Sequence, residues 1–356
     1  MNKSFQVLDD NRQLFDTALE DISKAQHTIC FEIYRFNQDS TGEKYAKALI
    51  ERAKAGVKIK LLVDAWGSGE VNSLYKPMLD AGINLRIYHK LVWDRSFLSK
   101  NHCRNHRKLL IIDSEIAYIG SSNLTTYSLK WRELNLRISR NPELISVLTH
   151  SFNASFRIYN RYSFRKRDHK RDVKVGNWLF VQDLPNPYKQ NIRSKYEAMI
   201  DAAYEDIVIE TPYFLPGFNL RKKLIEAAQR GVKVTIIMPY HSDVHSVDII
   251  RRHYLGILHQ GGVTLQFYNK GNLHAKCVMI DGRLCSISSA NFDYRSFRYQ
   301  YELALIGNDE LVLRLLQRHI DISLLSCQGF DYKNWLKRSP VERLIEWILL
   351  PFRFLF

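Results

Sequence analysis

The apolar and polar positions of the chain follow one pattern twice. Ile29–Phe36 (ICFEIYRF) and Ile207–Phe214 (IVIETPYF) are β-branched and aromatic runs with a single Glu, and each predicts a strand. In both halves a helix follows and ends at Gly-Val-Lys, a C-cap signal; an apolar strand, a second helix with its own glycine and another short strand come next. The predicted segments are Ala48–Ala55, Ile59–Val63, Leu79–Gly82 and Asn84–Tyr88 in the first half, and Leu224–Arg230, Val234–Met238, Leu258–Gly262 and Thr264–Tyr268 in the second. This repeated order predicts an α/β fold of two pseudo-symmetric α/β/α sandwich halves.

The repeat also carries polar motifs. A histidine, a lysine two residues later and an aspartate after four apolar residues occur once in each half. These are His106, Lys108 and Asp113, and then His274, Lys276 and Asp281. A Ser-x-Asn segment and a glutamate follow each aspartate, as Ser121, Asn123 and Glu133 in the first half and Ser289, Asn291 and Glu302 in the second. One such motif is weak evidence in so basic a chain, but two in register within a duplicated fold indicate a functional site.

The spacing of these motifs predicts a phosphate-binding cleft. In a strand, residues i and i+2 face the same side, so each histidine projects together with its lysine. Two pseudo-symmetric halves can bring both pairs to one cleft between them. A neutral imidazole in that cleft can attack phosphorus, while a protonated one gives its proton to the leaving alkoxide. The sequence therefore predicts covalent phosphoryl transfer in a single shared active site.

Each motif residue has an expected role. Glu133 and Glu302 are expected to hold one ring nitrogen of each imidazole, which fixes its tautomer and angle. The phosphate oxygens are expected to be bound by the two lysines and by four further residues, Ser121, Asn123, Ser289 and Asn291. No metal or other cofactor is expected. Asp113 and Asp281 are counted with the catalytic residues, although each ends an apolar strand and could equally hold a turn or a salt bridge.

Composition and charge narrow the class of protein. The 356 residues suffice for about two domains, and 46% hydrophobic with 25% charged residues is ordinary globular composition that excludes general disorder. Lys and Arg number 52 against 37 Asp and Glu, a net charge of +15, which favours a polyanionic partner such as nucleic acid or an anionic membrane surface. Five cysteines without a C-x-x-C pair argue against a disulfide scaffold or a zinc ribbon and favour a reducing cytosol.

The two motifs resemble those of the phospholipase D superfamily, in which two H-x-K-x4-D motifs build one site. Within it the chain is most similar to the bacterial cardiolipin synthases, over roughly residues 5–310. The similarity extends to further segments: Leu62–Ser68 (LVDAWGS), Trp131–Glu133 (WRE), Thr211–Pro216 (TPYFLP), Ser242–Asp243 and Asn291–Phe297 (NFDYRSF). Ser288 and Gln300 depart from the family pattern, which usually has Gly and Asn there, and neither departure removes a proton-transfer group.

The resemblance implies a reaction. It implies transfer of a phosphatidyl group from one phosphatidylglycerol to another through a phosphohistidine, giving cardiolipin and glycerol. By analogy with the superfamily, His106 is favoured as the nucleophile and His274 as the acid and base. A phospholipid-hydrolysing phospholipase D or a nuclease of the same fold remains the alternative, although nucleic acid is the less expected partner. The sequence leaves the oligomeric state open.

The chain is expected to divide into two halves, 1–155 and 186–325, joined by a basic linker, 156–185, and followed by a tail, 326–356. Ser339, Pro340 and Glu342 form a capping-box pattern at the start of a tail helix with aromatic and apolar residues. Such a helix is typical of a membrane interface, while docking on the protein's own core or on a second subunit is the alternative. Without a predicted signal peptide or membrane span, we expect a peripheral protein at the cytoplasmic face of the bacterial membrane, bound to anionic phospholipid.

Overall fold

The computed structural model describes residues 4–91, 101–159, 172–186 and 188–355. The strands are β1 (Phe5–Asp10), β2 (Thr28–Ile33), β3 (Lys58–Asp64), β4 (Asn84–Tyr88), β5 (Arg104–Asn105), β6 (Lys108–Ile112), β7 (Ile116–Gly120), β8 (Arg132–Ser139), β9 (Asp172–Val175), β10 (Trp178–Asp183), β11 (Asp206–Glu210), β12 (Lys233–Pro239), β13 (Thr264–Tyr268), β14 (Cys277–Ile280), β15 (Leu284–Ser288), β16 (Gln300–Gly307) and β17 (Cys327–Gly329). The helices are α1 (Asn11–Lys24), α2 (Ser40–Lys54), α3 (Ala65–Ser68), α4 (Tyr75–Asp80), α5 (Pro142–Ile158), α6 (Asn191–Ala202), α7 (Phe218–Gln229), α8 (His245–Gln260), α9 (Tyr294–Tyr299), α10 (Glu310–Leu324), α11 (Tyr332–Leu336) and α12 (Pro340–Leu349).

The strands form two mixed sheets with the same internal order. The first runs β1-β8-β7-β6-β2-β3-β4, and the second contains β10-β16-β15-β14-β11-β12-β13 in matching positions. In both, the three strands of the strand–helix–strand repeat pair in parallel and the remaining neighbours pair antiparallel. The predicted α/β fold of two pseudo-symmetric halves is therefore confirmed.

The two halves share one central core. Side chains from both sheets pack with α5 and α10 in a single cluster that includes Leu109, Phe152, Met279 and Leu316. A second cluster lies on the outer face of the first sheet under α1, α2 and α4, and a third lies under α6, α7 and α8 on the second sheet. Because the central layer draws apolar side chains from both halves, neither half can separate from the other without exposing it to water.

The first helix of each repeat begins earlier than its apolar pattern indicates. Helix α2 begins at Ser40, because the Asp39 carboxylate accepts hydrogen bonds from the N–H groups of Thr41 and Gly42, both at 3.1 Å. The predicted start at Ala48 is therefore two turns late. The strands that follow, β3 and β12, agree with prediction to within one residue at each end.

Two strands lie within the predicted linker, 156–185. Strands β9 and β10 belong to the second sheet, and β10 pairs antiparallel with β16 as β1 pairs with β8. The second repeat thus begins at Trp178, which packs against Phe5 with ring centroids 5.2 Å apart. The alternation of β10 is hidden in sequence, because five of its six residues are buried. Most of the predicted basic run, at 160–171, lies outside the described residues.

Candidate active site

Each motif histidine is held against an edge of the opposite half. Strand β5 pairs in parallel with β16, and the N–H of His106 donates to the carbonyl of Tyr301 at 3.1 Å. In the mirrored position, the N–H of His274 donates to the carbonyl of Arg132 at 2.7 Å. Tyr301 and Arg132 directly precede the two motif glutamates, so the backbone of each histidine lies beside the glutamate of the other half.

The imidazoles are paired with these glutamates across the interface. His106 Nδ1 lies 2.9 Å from Glu302 Oε1, and His274 Nδ1 lies 2.8 Å from Glu133 Oε1. Both glutamates are fully buried, and each ring is more than nine-tenths buried. Holding Nδ1–H fixes the tautomer in which Nε2 is the atom left for chemistry. The structure thus brings the predicted glutamates to the histidines, with the partners exchanged between halves.

The motif serines lie behind the glutamates rather than in the cleft. Ser121 Oγ donates to Glu133 Oε2 and accepts from the N–H of Leu134 at 2.9 Å. Ser289 does the same with Glu302 and the N–H of Leu303 at 3.1 Å. Each hydroxyl has one proton, and that proton is already donated to a carboxylate. The expectation that these serines bind phosphate is therefore corrected, since they are fully buried supports of the two glutamates.

The motif lysines and asparagines surround the imidazoles. Lys108 Nζ donates to the carbonyl of His106 at 2.6 Å, and Lys276 Nζ donates to that of His274 at 2.7 Å. Both ammonium groups are almost fully buried and keep two further donors each. Asn123 and Asn291 line the cavity between the imidazoles. These four groups can supply hydrogen bonds and positive charge to an anion held between the two halves.

The cavity between the histidines has a volume of about 180 Å³. Several of the residues that line it have no role predicted from the sequence. These residues are Tyr34, Arg35, Trp131, Tyr213, Asp243 and Arg295. The rings of Tyr34 and Trp131 lie 4.9 Å and 5.3 Å from those of His106 and His274. Four of them, Trp131, Tyr213, Asp243 and Arg295, belong to the family-like segments, and that similarity is the sequence signal that could have identified them.

Two further polar groups shape the cavity wall. The hydroxyl of Tyr213 donates to Asp243 Oδ1 at 2.5 Å, and the Arg295 guanidinium lies 5.8 Å from the centre of the Trp66 ring. Arg35 and Arg295 add two cations to those of the lysines. Gln300, one of the two departures from the family pattern, also lines the cavity, whereas Ser288 is fully buried. The cavity therefore has cations beside its imidazoles, and two carboxylates, Asp243 and Asp293, also line it.

Burial and charge affect the two histidine–glutamate pairs unequally. Burial, and then the charges of Lys108 and Lys276, hold the pKa of His106 well below its usual value. Burial also lowers the pKa of His274, but Glu133 opposes this shift. Burial alone would raise the pKa of Glu133, yet the facing His274 and Lys276 lower it, while burial raises the pKa of Glu302 to about 7. His274 with ionised Glu133 is thus the pair better suited to carry a proton.

Asp113 and Asp281 lie away from the cavity. Each follows the strand that begins at or beside its motif lysine, and five residues of strand span about 16 Å. Asp113 accepts from the N–H groups of residues 26–28 at 2.7–2.8 Å, and Asp281 accepts from those of residues 204–206 at 2.7–3.3 Å. Both adopt φ of +52°, a conformation that aspartate tolerates in tight turns. The catalytic interpretation of these two residues is therefore corrected: they hold the turn that leads into β2 or β11.

Because Asp113 and Asp281 lie away from the cavity, we expect their substitution to reduce stability and to leave catalytic turnover intact. Replacing Asp113 or Asp281 by alanine should lower the free energy of unfolding by about 1–3 kcal/mol, because three successive N–H groups lose the charged acceptor that they share. The turnover of the folded fraction should stay within about twofold of wild type. Urea unfolding followed by activity at a temperature well below the transition measures both. A hundredfold reduction in the turnover of a folded variant would show that these aspartates take part in catalysis.

One other buried group of the described residues has metal-ligand spacing. The side chains of Glu210, Cys277 and His319 approach within 4.8 Å of one another. Both ring nitrogens of His319 face carboxylates, Nδ1 at 3.1 Å from Asp9 and Nε2 at 3.1 Å from Glu210. Burial lowers the pKa of His319, but the two carboxylates outweigh it and raise the pKa overall. Both ring nitrogens thus already face carboxylates, and the group forms a buried polar network that also anchors Arg132 through Asp9 at 3.0 Å.

Comparisons with known proteins agree with one another. The family model described as "Cardiolipin synthase, PLD-like domain" matches residues 18–156 and 196–322. The cardiolipin synthase of Clostridium perfringens is 31% identical over 96% of this chain and 74% of its own length. The cardiolipin synthase of Oceanobacillus iheyensis is 33% identical over 98% of this chain and 76% of its own length.

A solved structure shares the fold. The crystal structure of phosphatidylserine synthase from Haemophilus influenzae aligns with a TM-score of 0.80 at 14% identity, covering 100% of this chain and 96% of the other. At that identity the match supports the arrangement of two pseudo-symmetric halves and nothing finer.

Proposed function

The chain belongs to the cardiolipin synthase family of phospholipase D-like proteins, and on that basis we propose that it joins two phosphatidylglycerol molecules into cardiolipin and releases glycerol. The observation that carries this proposal is the pair of imidazoles, each held at Nδ1 by a glutamate of the opposite half and both facing one cationic cavity. Cleavage of a phosphodiester needs a nucleophile, an acid and positive charge that neutralises the phosphate oxygens, all beside the same phosphorus.

In the first step, His106 Nε2 attacks the phosphorus of one phosphatidylglycerol. The P–N bond forms as the bond from phosphorus to the glycerol headgroup oxygen breaks, and His274 gives its Nε2 proton to that oxygen. Free glycerol leaves, and a phosphatidyl group stays on His106. In the second step, His274 takes the proton from a headgroup hydroxyl of another phosphatidylglycerol. That oxygen attacks phosphorus, the P–N bond breaks, and cardiolipin forms.

The charges around the two histidines support their assignment as nucleophile and as acid and base. A nucleophile must be neutral, and the pKa of His106 is held well below its usual value by burial and by Lys108 and Lys276. An acid must carry a proton, and ionised Glu133 stabilises the protonated form of His274. The negative phosphodiester, once bound, favours the imidazolium further. Lys108, Lys276 and the two arginines of the cavity wall would neutralise the non-bridging oxygens.

Substrate binding should weaken in alkali. Burial lowers the pKa of Lys276 to about 8, and a lysine is cationic only below its pKa. We expect kcat/KM to fall about tenfold per pH unit above about pH 8. In Lys276→Arg, the side chain stays charged, so this decline should disappear even if the rate is lower. The same alkaline decline in both proteins would contradict the assignment to Lys276.

Both substrates are bilayer lipids, so the reaction would take place at a membrane surface. Within the described ranges, no helix combines the length and the apolar character needed to cross a bilayer. All five cysteines lie in described segments as free thiols, which suits a reducing compartment. We therefore propose peripheral association with anionic phospholipid at the cytoplasmic face.

Product analysis tests the proposed function. Purified protein is incubated with phosphatidylglycerol vesicles, without divalent metal, beside the double variant His106→Ala/His274→Ala. The expected result is cardiolipin and glycerol in equal amounts from wild type only. Phosphatidic acid alone would show that water is the acceptor and that the protein is a phospholipase. Turnover of a nucleic acid but not of phosphatidylglycerol would overturn the lipid assignment.

A further inference from the structure

Helix α12 turns its apolar side toward solvent. Val341, Leu344, Ile345 and Ile348 follow the i, i+3, i+4, i+7 spacing of one helix face and are 64%, 54%, 42% and 50% exposed. Trp347 borders them and is 68% exposed. We name these five residues the C-terminal apolar face. The predicted capping box is confirmed, since Ser339 and Glu342 bond to each other's backbone, so the helix start is well fixed.

The polar side of the same helix faces the protein. Glu346 is 3% exposed and accepts from Arg338 Nη1 with both carboxylate oxygens, each at 2.6 Å. Glu342 lies 3.6 Å from Arg252 of α8, and Leu349 packs against the core of the second half. A helix that only docked on its own core would be rotated the other way, with its apolar face inward. The helix instead buries Glu346 against Arg338, which precedes it in the chain, contacts α8 through Glu342, and leaves its apolar face open.

The charge around this face selects its partner. Residues 332–355 carry five basic side chains and two glutamates, and both glutamates lie beside arginines. Lys333, Lys337 and Arg343 are exposed next to the apolar face. Apolar and aromatic side chains with basic neighbours match the interface of an anionic bilayer. A symmetric pair of copies would instead place this basic cluster against itself, which is unfavourable.

The face is continuous with the wall of the active-site cavity. The turn Leu350–Leu355 follows α12, and the carbonyl of Phe354 lies 3.2 Å from Nε2 of His102. The guanidinium of Arg353 lies 5.9 Å from the centre of the Tyr294 ring. Tyr294 stands between Asp293 and Arg295, which both line the cavity. Phe352 and Phe354, 49% and 44% exposed, thus extend the apolar surface toward the cavity.

We propose that the C-terminal apolar face inserts into the headgroup region of an anionic phospholipid bilayer and holds the cavity against the lipid surface. The proposal rests on the proposed function, because it names the partner of that same active site. A lipid phosphodiester would then reach the imidazoles while its acyl chains stay in or near the membrane. Under this proposal the tail binds the membrane rather than the protein's own core or a second subunit.

Vesicle binding and micelle turnover test the proposal together. The variant Leu344→Asn/Ile348→Asn is compared with wild type by co-sedimentation with vesicles of equal phosphatidylglycerol and phosphatidylcholine. Binding and turnover of vesicle phosphatidylglycerol should both fall at least about tenfold. Turnover of short-chain phosphatidylglycerol in detergent micelles should stay within about twofold, because the cavity is unchanged. Leu325→Asn, at a leucine 87% exposed after α10, is the matched control and should bind vesicles as wild type does.

The outcomes separate this proposal from the proposed function. Unchanged vesicle binding by the double variant would overturn the proposal, as would a wild-type dimer in solution that the variant loses. Equal binding to purely zwitterionic vesicles would overturn the claim that the face prefers an anionic bilayer. Wild type that binds vesicles through this face but converts no phosphatidylglycerol, even in micelles, would uphold the membrane face and refute the proposed reaction.

Discussion

Alanine at His106 is expected to reduce cardiolipin formation by about 10⁴-fold or more and to abolish covalent labelling of the protein. The ring is more than nine-tenths buried, with Nδ1 held by Glu302 at 2.9 Å and Nε2 directed to the cavity. No neighbouring side chain can take over a P–N bond in that place, so the loss should match that of other covalent nucleophiles. Incubation with phosphate-labelled phosphatidylglycerol, rapid quenching and peptide mapping would locate the label.

The matched variant His274→Ala should behave differently. It lacks the acid and base but keeps the proposed nucleophile, so turnover should fall by a similar factor while labelled protein remains detectable. Both steps are slow in that variant, because the second also needs a group to take the acceptor's proton. Label present in His106→Ala and absent in His274→Ala would reverse the two roles. Thermal unfolding of both variants excludes loss of fold as the cause.

The duplicated fold and its shared site could be predicted from sequence because two independent patterns, the apolar periodicity and the H-x-K motif, both show the repeat. The apolar periodicity places β3 and β12 to within one residue at each end, and the H-x-K motif falls at the same point of each half. The spacing of histidine and lysine in each motif places both side chains near the start of the same strand. Such local geometry follows from residues adjacent in sequence.

The exchange of partners between halves could not be predicted. Glu133 and Glu302 stand at equivalent positions, each following the histidine of its own half, and nothing in that spacing says which histidine each glutamate contacts. The choice depends on the parallel pairing of β5 with β16 and on the bridge between Arg132 and Leu273, which join segments distant in sequence. The role of Ser121 depends on a different pairing, that of β7 with β8 inside the first half, which places the hydroxyl against the buried carboxylate of Glu133.

The helix at the C-terminus shows another limit of pattern analysis. The capping box fixes where α12 begins, and the spacing of its apolar residues fixes which of them share a face. Neither says which way the helix rotates on the protein. In the structure Glu346 is buried against Arg338, and Glu342 lies 3.6 Å from Arg252 of α8. These contacts form only in the folded protein, so the sequence pattern does not show whether the amphipathic helix is a core element or a surface one.

Replacing Glu133 by glutamine is expected to reduce kcat by about 10³-fold. The amide keeps the shape of the carboxylate, and its oxygen can still accept from His274 Nδ1, while Ser121 can turn its proton to the carbonyl of Leu134 at 3.1 Å. What is lost is the negative charge that stabilises protonated His274. The pKa of His274 should fall, and the pH optimum of kcat should move toward acid, since the proton is then held only at lower pH.

The pseudo-symmetry supplies a matched control. Glu302→Gln makes the same change on the His106 side, where burial already raises the pKa of the carboxyl to about 7 and the histidine acts as a neutral nucleophile. Its cost should therefore be smaller, about 10–100-fold, with little movement of the pH optimum. Ser121→Ala, which keeps the Glu133 charge, should cost about tenfold or less. Equal losses and unmoved pH optima in both glutamine variants would mean that the glutamates only position the rings, and that the asymmetry of the two pairs plays no part in proton transfer.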